Sequence, residues 1–180
     1  MSYQEGFKLF VKEAVQTVAI TLVVLFFVYN FLVQPHRVKG DSMLPNYHDG
    51  ELLLTEKISY RFGDPHRGDV IVFRAPVGRK VDFIKRIVGL PDDTVSIQDG
   101  KVLINGSELK EPYETQLTQG NDTVQLSDNQ YFVLGDNRNS SSDSRSFGLI
   151  DKESIRGRVW VVYWPPTGDG GFRTISRVNY

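Results

Sequence analysis

The hydrophobic residues of this chain are concentrated near its N-terminus, where residues 14–33 include no charged side chain. At a helical rise of about 1.5 Å per residue, such a segment just spans a hydrocarbon layer of roughly 30 Å. Charged residues close the segment on both sides. The pattern predicts a transmembrane anchor helix over residues 14–34, preceded by a short segment of residues 1–13.

Two other interpretations of the apolar segment fit less well. A buried helix of a soluble protein would present a charged face, and the polar residues Gln16, Thr17 and Thr21 do not form one. A cleaved signal peptide would have an apolar core of about 7–15 residues and a small-x-small cleavage site. Residues 31–33 are bulky instead. Basic residues flank both ends of the segment, so the positive-inside rule does not assign an orientation.

Beyond residue 34 the pattern changes to short apolar and β-branched runs separated by turn residues, which is typical of β-strands. The runs of strand length are ELLLTEK, DVIVFRAP, DFIKRIVGL, TVSIQ, KVLIN, QYFVLG and GRVWVVYW. Asp99-Gly100 lies between two of them and predicts a tight hairpin. We therefore predict a mainly β fold, an antiparallel β-sheet domain over residues 35–180, with a small polar excursion at residues 95–130.

Composition narrows the possible functions. The 180 residues carry a formal net charge of −1, which argues against a nucleic-acid partner, because such partners select a basic surface. The absence of cysteine excludes disulfides, thiol catalysis and cysteine-ligated metals. The three histidines, His36, His48 and His66, do not show the spacing of a metal site. We predict neither a metal nor another cofactor.

A serine close to the anchor is the first candidate for chemistry. Ser42 lies nine residues beyond Val33, in the segment Gly40-Asp41-Ser42-Met43-Leu44-Pro45. Even a fully extended chain of that length reaches only about 30 Å, so Ser42 is expected near the membrane surface. Glycine permits a close backbone approach, and proline fixes the direction of the chain after the turn. Taken alone, the segment also fits an ordinary polar turn.

Lys85 interrupts the apolar run Phe83-Ile84-Lys85-Arg86-Ile87-Val88. On an alternating strand it could simply point outward to solvent. If Lys85 is buried, loss of solvation disfavours the ammonium form, lowers the pKa of the side chain and makes the neutral amine a usable base. Such a base can activate a serine hydroxyl in place of histidine. Arg86 should point to the opposite face, where a carboxylate could pair with it.

A loop rich in short polar side chains follows the run QYFVL, over residues 135–148. Its serine, asparagine and aspartate residues are of the types that bond to backbone groups. A calcium-binding loop does not fit, because the required spacing of acidic residues, glycine and a distal glutamate is missing. A plain polar loop fits, but a structured loop that supports a neighbouring site fits better.

Taken in order, these segments resemble the signature motifs of the bacterial type I signal peptidases, a family of Ser-Lys dyad serine proteases. The resemblance covers nearly the whole chain apart from the polar excursion and the C-terminal tail, and the N-terminal anchor agrees with it. The matching motifs are Gly40-Asp41-Ser42-Met43-x-Pro45, Arg67-Gly68-Asp69-Val70-Ile71-Val72-Phe73, Lys85-Arg86-x-x-Gly89-Leu90-Pro91-x-Asp93, and the loop from Gly135 to Arg145.

The resemblance implies a catalytic pair, with Ser42 as the nucleophile and Lys85 as the general base. It also implies a supporting set of residues around that pair. The supporting residues are Ser141, which would pack against the lysine, Asp143 and Arg145, which would form a structural ion pair, and Asp136, which would be the partner of Arg86.

The same resemblance implies a serine endopeptidase that removes signal peptides from exported preproteins, cutting after small residues in an Ala-x-Ala pattern. Its expected partners are secretory preproteins, the protein-export machinery and membrane lipid, and not nucleic acid. The chain would cross the cell membrane once, with the N-terminus in the cytoplasm and the catalytic domain on the outer face. The residues implied to line the small apolar pockets are Val38, Met43, Tyr47, Phe83 and Ile84.

Two positions depart from the family pattern. Some members carry a second hydroxyl two residues before the nucleophile, where it helps to hold the oxyanion, and Gly40 takes that place here. Loss of one such donor costs about 2.7–4 kcal/mol in a site built around it, so another donor is expected. Asp92 replaces a glycine, and aspartate tolerates a positive φ better than most residues.

Three other interpretations compete with a Ser-Lys protease. The run from Ser107 to Lys110 matches the Ser-x-x-Lys pattern of penicillin-binding enzymes, but that pattern needs a helix start and this run follows an Asn-Gly turn. A non-catalytic β module that binds peptides would be expected to have lost one member of the Ser-Lys pair. A self-cleaving repressor domain would carry a DNA-binding segment in place of a membrane span.

Overall fold

The computed structural model describes residues 3–78, 81–113, 116–164, 172–175 and 178. Its first element is a long apolar helix, α1 (Tyr3–Phe27), which continues as a π-helical turn over Val28–Leu32. The most apolar part of the segment Gln4–Leu32 has a mean hydropathy of 2.1, and none of its residues is buried. Within the described ranges, this is the helix that is long and apolar enough to cross a membrane.

In the described residues, twelve strands and two short helices follow α1. The strands are β1 (Val33–Arg37), β2 (Leu52–Glu56), β3 (Val70–Arg74), β4 (Asp82–Gly89), β5 (Thr94–Gln98), β6 (Lys101–Ile104), β7 (Ser107–Glu108), β8 (Thr123–Gln125), β9 (Gln130–Leu134), β10 (Ile150–Asp151), β11 (Ile155–Trp164) and β12 (Arg173–Thr174). The helices are α2 (Ser59–Phe62) and α3 (Ser144–Phe147), and 3-10 turns cover Arg138–Ser140 and Lys152–Ser154.

Strand β1 begins directly after the π-helical turn. The sequence predicted an anchor helix that extends to residue 34, whereas Val33 already has an extended backbone, with φ −137° and ψ 152°. Pro35 accounts for the earlier boundary, because proline disfavours a helical conformation in the residue before it. The apolar helix and the β domain are therefore joined without an intervening loop.

The main sheet contains eight strands in the order β1-β2-β11-β3-β4-β9-β10, with β12 paired to β11. All of these pairings are antiparallel. β3 lies in the interior of the sheet between β11 and β4, and its residues from Val70 to Phe73 are all buried, which explains its unbroken apolar run. Together with the one apolar helix found in the described residues, at the N-terminus, this sheet confirms the predicted mainly β, antiparallel fold class.

A second, four-stranded antiparallel sheet has the order β7-β6-β5-β8 and lies within the predicted excursion of residues 95–130, apart from its first residue. The hairpin between β5 and β6 turns at Asp99 and Gly100, whose φ angles are 50° and 78°. Two successive positive φ angles match the twist of the paired strands, which is why this dipeptide suits a two-residue hairpin.

The turn between β4 and β5 accommodates Asp92 where the family pattern has glycine. Asp92 has a φ of 67°, in the left-handed region that costs a non-glycine residue roughly 1–2 kcal/mol. Its carbonyl accepts a hydrogen bond of 3.0 Å from Gln125 Nε2. The next residue, Asp93, accepts a hydrogen bond of 2.7 Å from the Leu90 amide and pairs with Arg67 at 2.9 Å. These contacts hold the turn without glycine.

One of the hydrophobic clusters joins the segment after β1 to β2, β3 and β11. Burial of each aliphatic or aromatic side chain of this kind stabilises a fold by about 1.5–3 kcal/mol. The cluster therefore fixes the segment after β1 firmly on the sheet. Its buried members are Val38, Met43, Tyr47, Leu53, Val70, Val72, Val159 and Val162.

Candidate active site

Ser42 lies on a turn that is held from both sides by buried side chains. Met43 and Tyr47 are 1% and 2% exposed and anchor the turn in the core. The Tyr47 amide donates to the Met43 carbonyl at 2.9 Å, and the Leu44 amide donates to the Asp41 carbonyl at 3.2 Å. Ser42 itself is half-buried and faces an open cleft. The hydrophobic neighbours of the serine thus fix its position from below.

Lys85 lies on β4 with its side chain directed at this serine. The residue is 4% exposed, and its Nζ atom lies 2.6 Å from Ser42 Oγ. Nζ also donates to the Ile84 carbonyl at 2.9 Å. The structure therefore brings together the serine and the lysine, which are 43 positions apart in the chain. Lys85 does not take the solvent-facing position that was the alternative from sequence.

The protonation of Lys85 is set mainly by its burial. Loss of solvation lowers the pKa of Lys85 to about 8, although the Asp143 and Asp136 carboxylates favour the ammonium form and oppose that shift. A lysine with this pKa is partly neutral at ordinary pH, whereas an unperturbed lysine, with a pKa of about 10.4, is almost entirely charged. The neutral amine can accept a proton from a hydroxyl 2.6 Å away.

The loop after β9 contacts the serine turn from the other side. Asn137 donates twice to it, from its amide to the Ser42 carbonyl at 3.0 Å and from Nδ2 to the Asp41 carbonyl at 3.0 Å. Gly135 lies against the same turn, because a Cβ atom added there would be 2.5 Å from the Ser42 carbonyl oxygen. The loop thus positions the backbone of the serine directly.

Asp143 organises this loop as a buried acceptor. It receives hydrogen bonds of 3.1 Å from the Gly135 amide and 2.8 Å from Arg145, with which it forms an ion pair. Burial alone would raise the pKa of Asp143, but the hydrogen bonds from Arg145 and Gly135 outweigh it and leave the pKa lowered. The carboxylate is therefore charged, and it keeps the loop in one conformation beside Lys85.

Ser141, which the family pattern places against the lysine, lies next to Gly135. Its hydroxyl is buried and close enough to Asp143 to help lower the pKa of that carboxyl, but it makes no hydrogen bond of normal geometry within the described residues. Lys85 Nζ bonds to Ser42 and Ile84 and not to this hydroxyl. Ser141 therefore lies within the loop after β9, but the structure shows no hydrogen bond from it to the lysine.

Arg86 points away from Lys85, to the opposite face of β4, and pairs with Asp136. Its Nε and Nη2 atoms donate to the two carboxylate oxygens at 2.8 Å and 2.6 Å. Asn46, from the serine turn, donates to the same carboxylate at 2.9 Å, and the guanidinium lies 3.9 Å from the centre of the Tyr113 ring. Loss of one partner from a buried pair of this kind costs about 3–5 kcal/mol.

A second buried arginine connects the catalytic loop to the second sheet, and sequence reasoning missed it. The side chain of Arg138 is fully buried, forms an ion pair with Glu111 at 2.5 Å and donates to the Gly135 carbonyl at 3.1 Å. Glu111 belongs to the segment between β7 and β8. The arginine occurs within the Gly135–Arg145 motif, but its distant partner leaves no signal in the sequence.

The cleft in front of Ser42 and Lys85 has a volume of about 410 Å³. Val38, Phe83 and Ile84, which the family pattern assigns to the substrate pockets, line it. Met43 and Tyr47, assigned with them, are not among the lining residues and are almost fully buried beneath the serine turn. The other residues that line the cleft, which the sequence did not single out for it, are His36, Arg37, Lys39, Leu53, Val72, Val81, Asp82 and Ser142.

Gly40 has a φ of 81°, and a Cβ atom placed there would meet nothing within 4 Å. Glycine is therefore favoured at this position by the backbone and not by space. The amide of Ser42 has no acceptor among the described residues, so it is free to donate to an oxyanion. Among the same residues, no group of three or more histidine or carboxylate side chains is placed to hold a metal ion.

Comparisons with known proteins bear on this site. Residues 11–164 match the family described as signal peptidase, peptidase S26. The chain is 37% identical over 172 residues to signal peptidase IB of Staphylococcus aureus, covering 85% of this chain and 89% of that protein. It is also 37% identical over 164 residues to a probable signal peptidase I-1 of Synechocystis, covering 87% and 84% of the two chains.

The comparison with solved structures found a crystal structure of a signal peptidase I from Enterococcus faecalis, with 33% sequence identity and a TM-score of 0.48. The superposition covers 53% of this chain and 96% of the Enterococcus chain. The sequence matches span most of both proteins and include the segments that carry Ser42 and Lys85. This chain therefore belongs to the signal peptidase family, peptidase S26, and is a serine endopeptidase.

Proposed function

We propose that this protein removes signal peptides from exported preproteins, with Ser42 as the nucleophile and Lys85 as its general base. The observation that carries the proposal is the 2.6 Å separation of Ser42 Oγ and Lys85 Nζ at the wall of an open cleft. Burial of the lysine supports the same assignment, because it favours the neutral amine.

The reaction follows from the positions of these atoms. Neutral Lys85 takes the proton of Ser42 Oγ as the oxygen attacks the carbonyl carbon of the scissile peptide, and the Ser42 amide donates to the oxyanion that forms. Collapse of the tetrahedral intermediate breaks the peptide bond, and Lys85 gives its proton to the departing amine. Water then attacks the acyl-enzyme, with Lys85 again accepting a proton, and Ser42 is regenerated.

The edge of β4 provides a place for the substrate backbone. Residues 82–84 pair with β3 on one side, whereas β9 pairs with β4 only from Arg86 onward. The other edge of residues 82–84 lies beside the cleft, where an extended peptide can add as a further strand. Successive side chains of a strand point to opposite faces, so residues one and three positions before the cut would enter the same wall.

Val38, Leu53, Val72 and Ile84 contribute aliphatic side chains to that wall. We expect cleavage of a preprotein with alanine at the first and third positions before the cut. Phenylalanine at the first position should lower kcat/KM at least about 100-fold, because a bulky ring does not fit a site shaped for a methyl group. The rate of release of the mature protein, measured with the full-length enzyme in detergent, tests this.

The matched control places phenylalanine at the second position before the cut. That side chain points away from the wall, so its effect on kcat/KM should stay within a few-fold. Equal cleavage of all three preproteins would contradict the proposed pockets without contradicting the peptidase activity. Failure to cleave the alanine substrate at all would contradict the proposed function.

The rate should depend on pH through Lys85. The base works only as the neutral amine, so kcat/KM should rise with pH through the pKa of about 8 and reach a plateau above it. Below that pKa the rate should fall about tenfold per pH unit. A pH–rate profile of the full-length enzyme measures this limb. The pH of the inflection should be unchanged in His36→Gln and His48→Gln. A shift of the inflection in either variant would assign the base to that histidine.

The apolar helix supports a location in the cell membrane with one crossing. In this proposal the N-terminal segment is cytoplasmic and the β domain lies on the outer face, where the protein-export machinery delivers preproteins. The direct junction between the helix and β1 keeps the cleft close to the bilayer. Substrate and enzyme would then meet while the signal peptide is still in the membrane.

A further inference from the structure

A second cavity lies beside the end of the apolar helix, away from the catalytic cleft. Its volume is about 240 Å³. Four of the residues around it are basic, and we call this site the basic cavity, defined by Lys57, Arg61, Lys152 and Arg156. None of the described residues that line it carries a carboxylate. The full lining is Lys57, Tyr60, Arg61, Lys152, Ile155, Arg156 and Gly157.

Direct contacts place the basic cavity at the level where the apolar helix ends. The Lys57 amide donates to the Leu32 carbonyl at 2.9 Å, and Lys57 Nζ donates to the Asn30 carbonyl at 3.3 Å. The guanidinium of Arg61 lies 5.0 Å from the centre of the Phe31 ring. A helix that spans a bilayer ends among the lipid headgroups. The cations of this cavity therefore lie at headgroup depth.

The positive charge of the basic cavity is incompletely balanced. Lys152 pairs with Asp64 at 2.5 Å and Arg156 with Asp82 at 3.6 Å, and both pairs are partly exposed to solvent, which weakens them. Lys57 and Arg61 have no carboxylate within 4.0 Å in the described part of the chain. The pKa of Lys57 is lowered by partial burial and by the charges of Arg61 and Arg156.

Exposed apolar side chains flank the same cations. Phe62 follows Arg61 and is 89% exposed, and Ile58 follows Lys57 and is 42% exposed. A large aromatic side chain left in water is unfavourable, but at a membrane surface it can enter the boundary between headgroups and acyl chains. Alternation of cations with apolar residues in this segment is the composition of a membrane-surface contact.

We propose that the basic cavity binds the phosphate group of an anionic phospholipid in the leaflet where the apolar helix ends. Lys57 and Arg61 would hold the phosphate, with Phe62 and Ile58 in contact with the adjoining acyl chains. The proposal goes beyond peptide cleavage and rests on the membrane anchor and not on the catalytic pair. Such a contact would fix the rotation of the β domain about the end of the helix, and with it the direction in which the cleft opens.

Native mass spectrometry of the full-length protein in detergent tests the lipid site. Phosphatidylglycerol, phosphatidylcholine and inorganic phosphate are titrated separately, and the double variant Lys57→Gln/Arg61→Gln is compared with the unaltered chain. Each cation near an anionic headgroup changes affinity roughly fivefold, so the double variant should bind phosphatidylglycerol about 25-fold more weakly. The matched control is Lys101→Gln/Lys110→Gln, which removes the same charge near the second sheet and should leave the affinity unchanged.

Three results would overturn the proposal. They are equal binding of phosphatidylcholine and phosphatidylglycerol, an equal loss in the control variant, and binding of inorganic phosphate without binding of phosphatidylglycerol. Peptidase activity is measured on the same samples. Cleavage of the preprotein by a protein that shows no lipid preference would reject the lipid site alone, whereas lipid binding without cleavage would reject the proposed function alone.

Discussion

Replacement of Lys85 by methionine is expected to lower kcat/KM for a preprotein by about 10⁴-fold or more, because it removes the amine that we propose accepts the Ser42 proton. The substitution keeps a side chain of similar length in the apolar surroundings of β4. Lys85 is 4% exposed, and removing its amine from water on folding costs free energy, so the methionine variant should be at least as stable as the unaltered protein. Activity and stability should therefore change independently.

The partner variant Ser42→Ala should lose activity to a similar extent. The double variant Ser42→Ala/Lys85→Met should lose little more than either single one, because the two residues act as a unit. Cleavage of an Ala-x-Ala preprotein in detergent and thermal unfolding of the same samples measure both effects. Lys101→Met, at an exposed position on β6, is the matched control and should keep full activity. A Lys85→Met enzyme within tenfold of the unaltered rate would rule out the lysine as base.

The second large effect is expected from a single methyl group at Gly135. A Cβ atom there would lie 2.2 Å from Ser141 Oγ and 2.5 Å from the Ser42 carbonyl oxygen, closer than van der Waals contact allows. Because the Ser42 carbonyl also accepts the Asn137 amide, the loop and the serine turn cannot both keep their positions. A displacement of about 1 Å in a catalytic group can cost 100-fold, so Gly135→Ala should lower kcat/KM at least about 100-fold.

Gly63→Ala is the control for this substitution. A Cβ atom at Gly63 would meet only the Ser59 carbonyl, at 3.4 Å, which is ordinary contact. The double variant Gly135→Ala/Ser141→Gly separates the two clashes, because it removes the serine side chain and leaves the contact with Ser42. It should recover only part of the lost activity. Full recovery would show that the clash with Ser141, and not the clash with the Ser42 carbonyl, causes the loss of activity.

Much of the fold could be predicted from the pattern of apolar and turn residues. All seven apolar runs of the domain form strands, since their side chains alternate or remain buried in a sheet interior. Strand β1 was missed because its sequence, VQPHR, is polar and contains proline. It forms through its pairing with β2, which no local preference reveals. The order of the strands likewise depends on contacts between distant segments.

The site was only partly accessible to the same reasoning. Neither Ser42 nor Lys85 is distinctive by itself, and their meeting depends on how β4 packs against the turn after β1, so the family pattern was needed to connect them. Met43 and Tyr47 look like pocket residues in sequence but serve as the core beneath the turn. Leu53 and Val72 reach the cleft from β2 and β3. Their apolar side chains fit a position in the cleft wall and a position in the core equally well, so the sequence could not distinguish the two.

Because no loop separates Leu32 from Val33, the helix would fix the distance between the cleft and the bilayer. A flexible tether would allow the cleft to sample many heights above the bilayer, whereas a helix that passes straight into a paired strand holds it at one. If the protein cleaves membrane-bound preproteins as proposed, it would reach a scissile bond only when the apolar part of the substrate ends at the matching depth. In the proposed function, the cut site would thus be selected twice, by the side chains beside it and by its distance from the membrane.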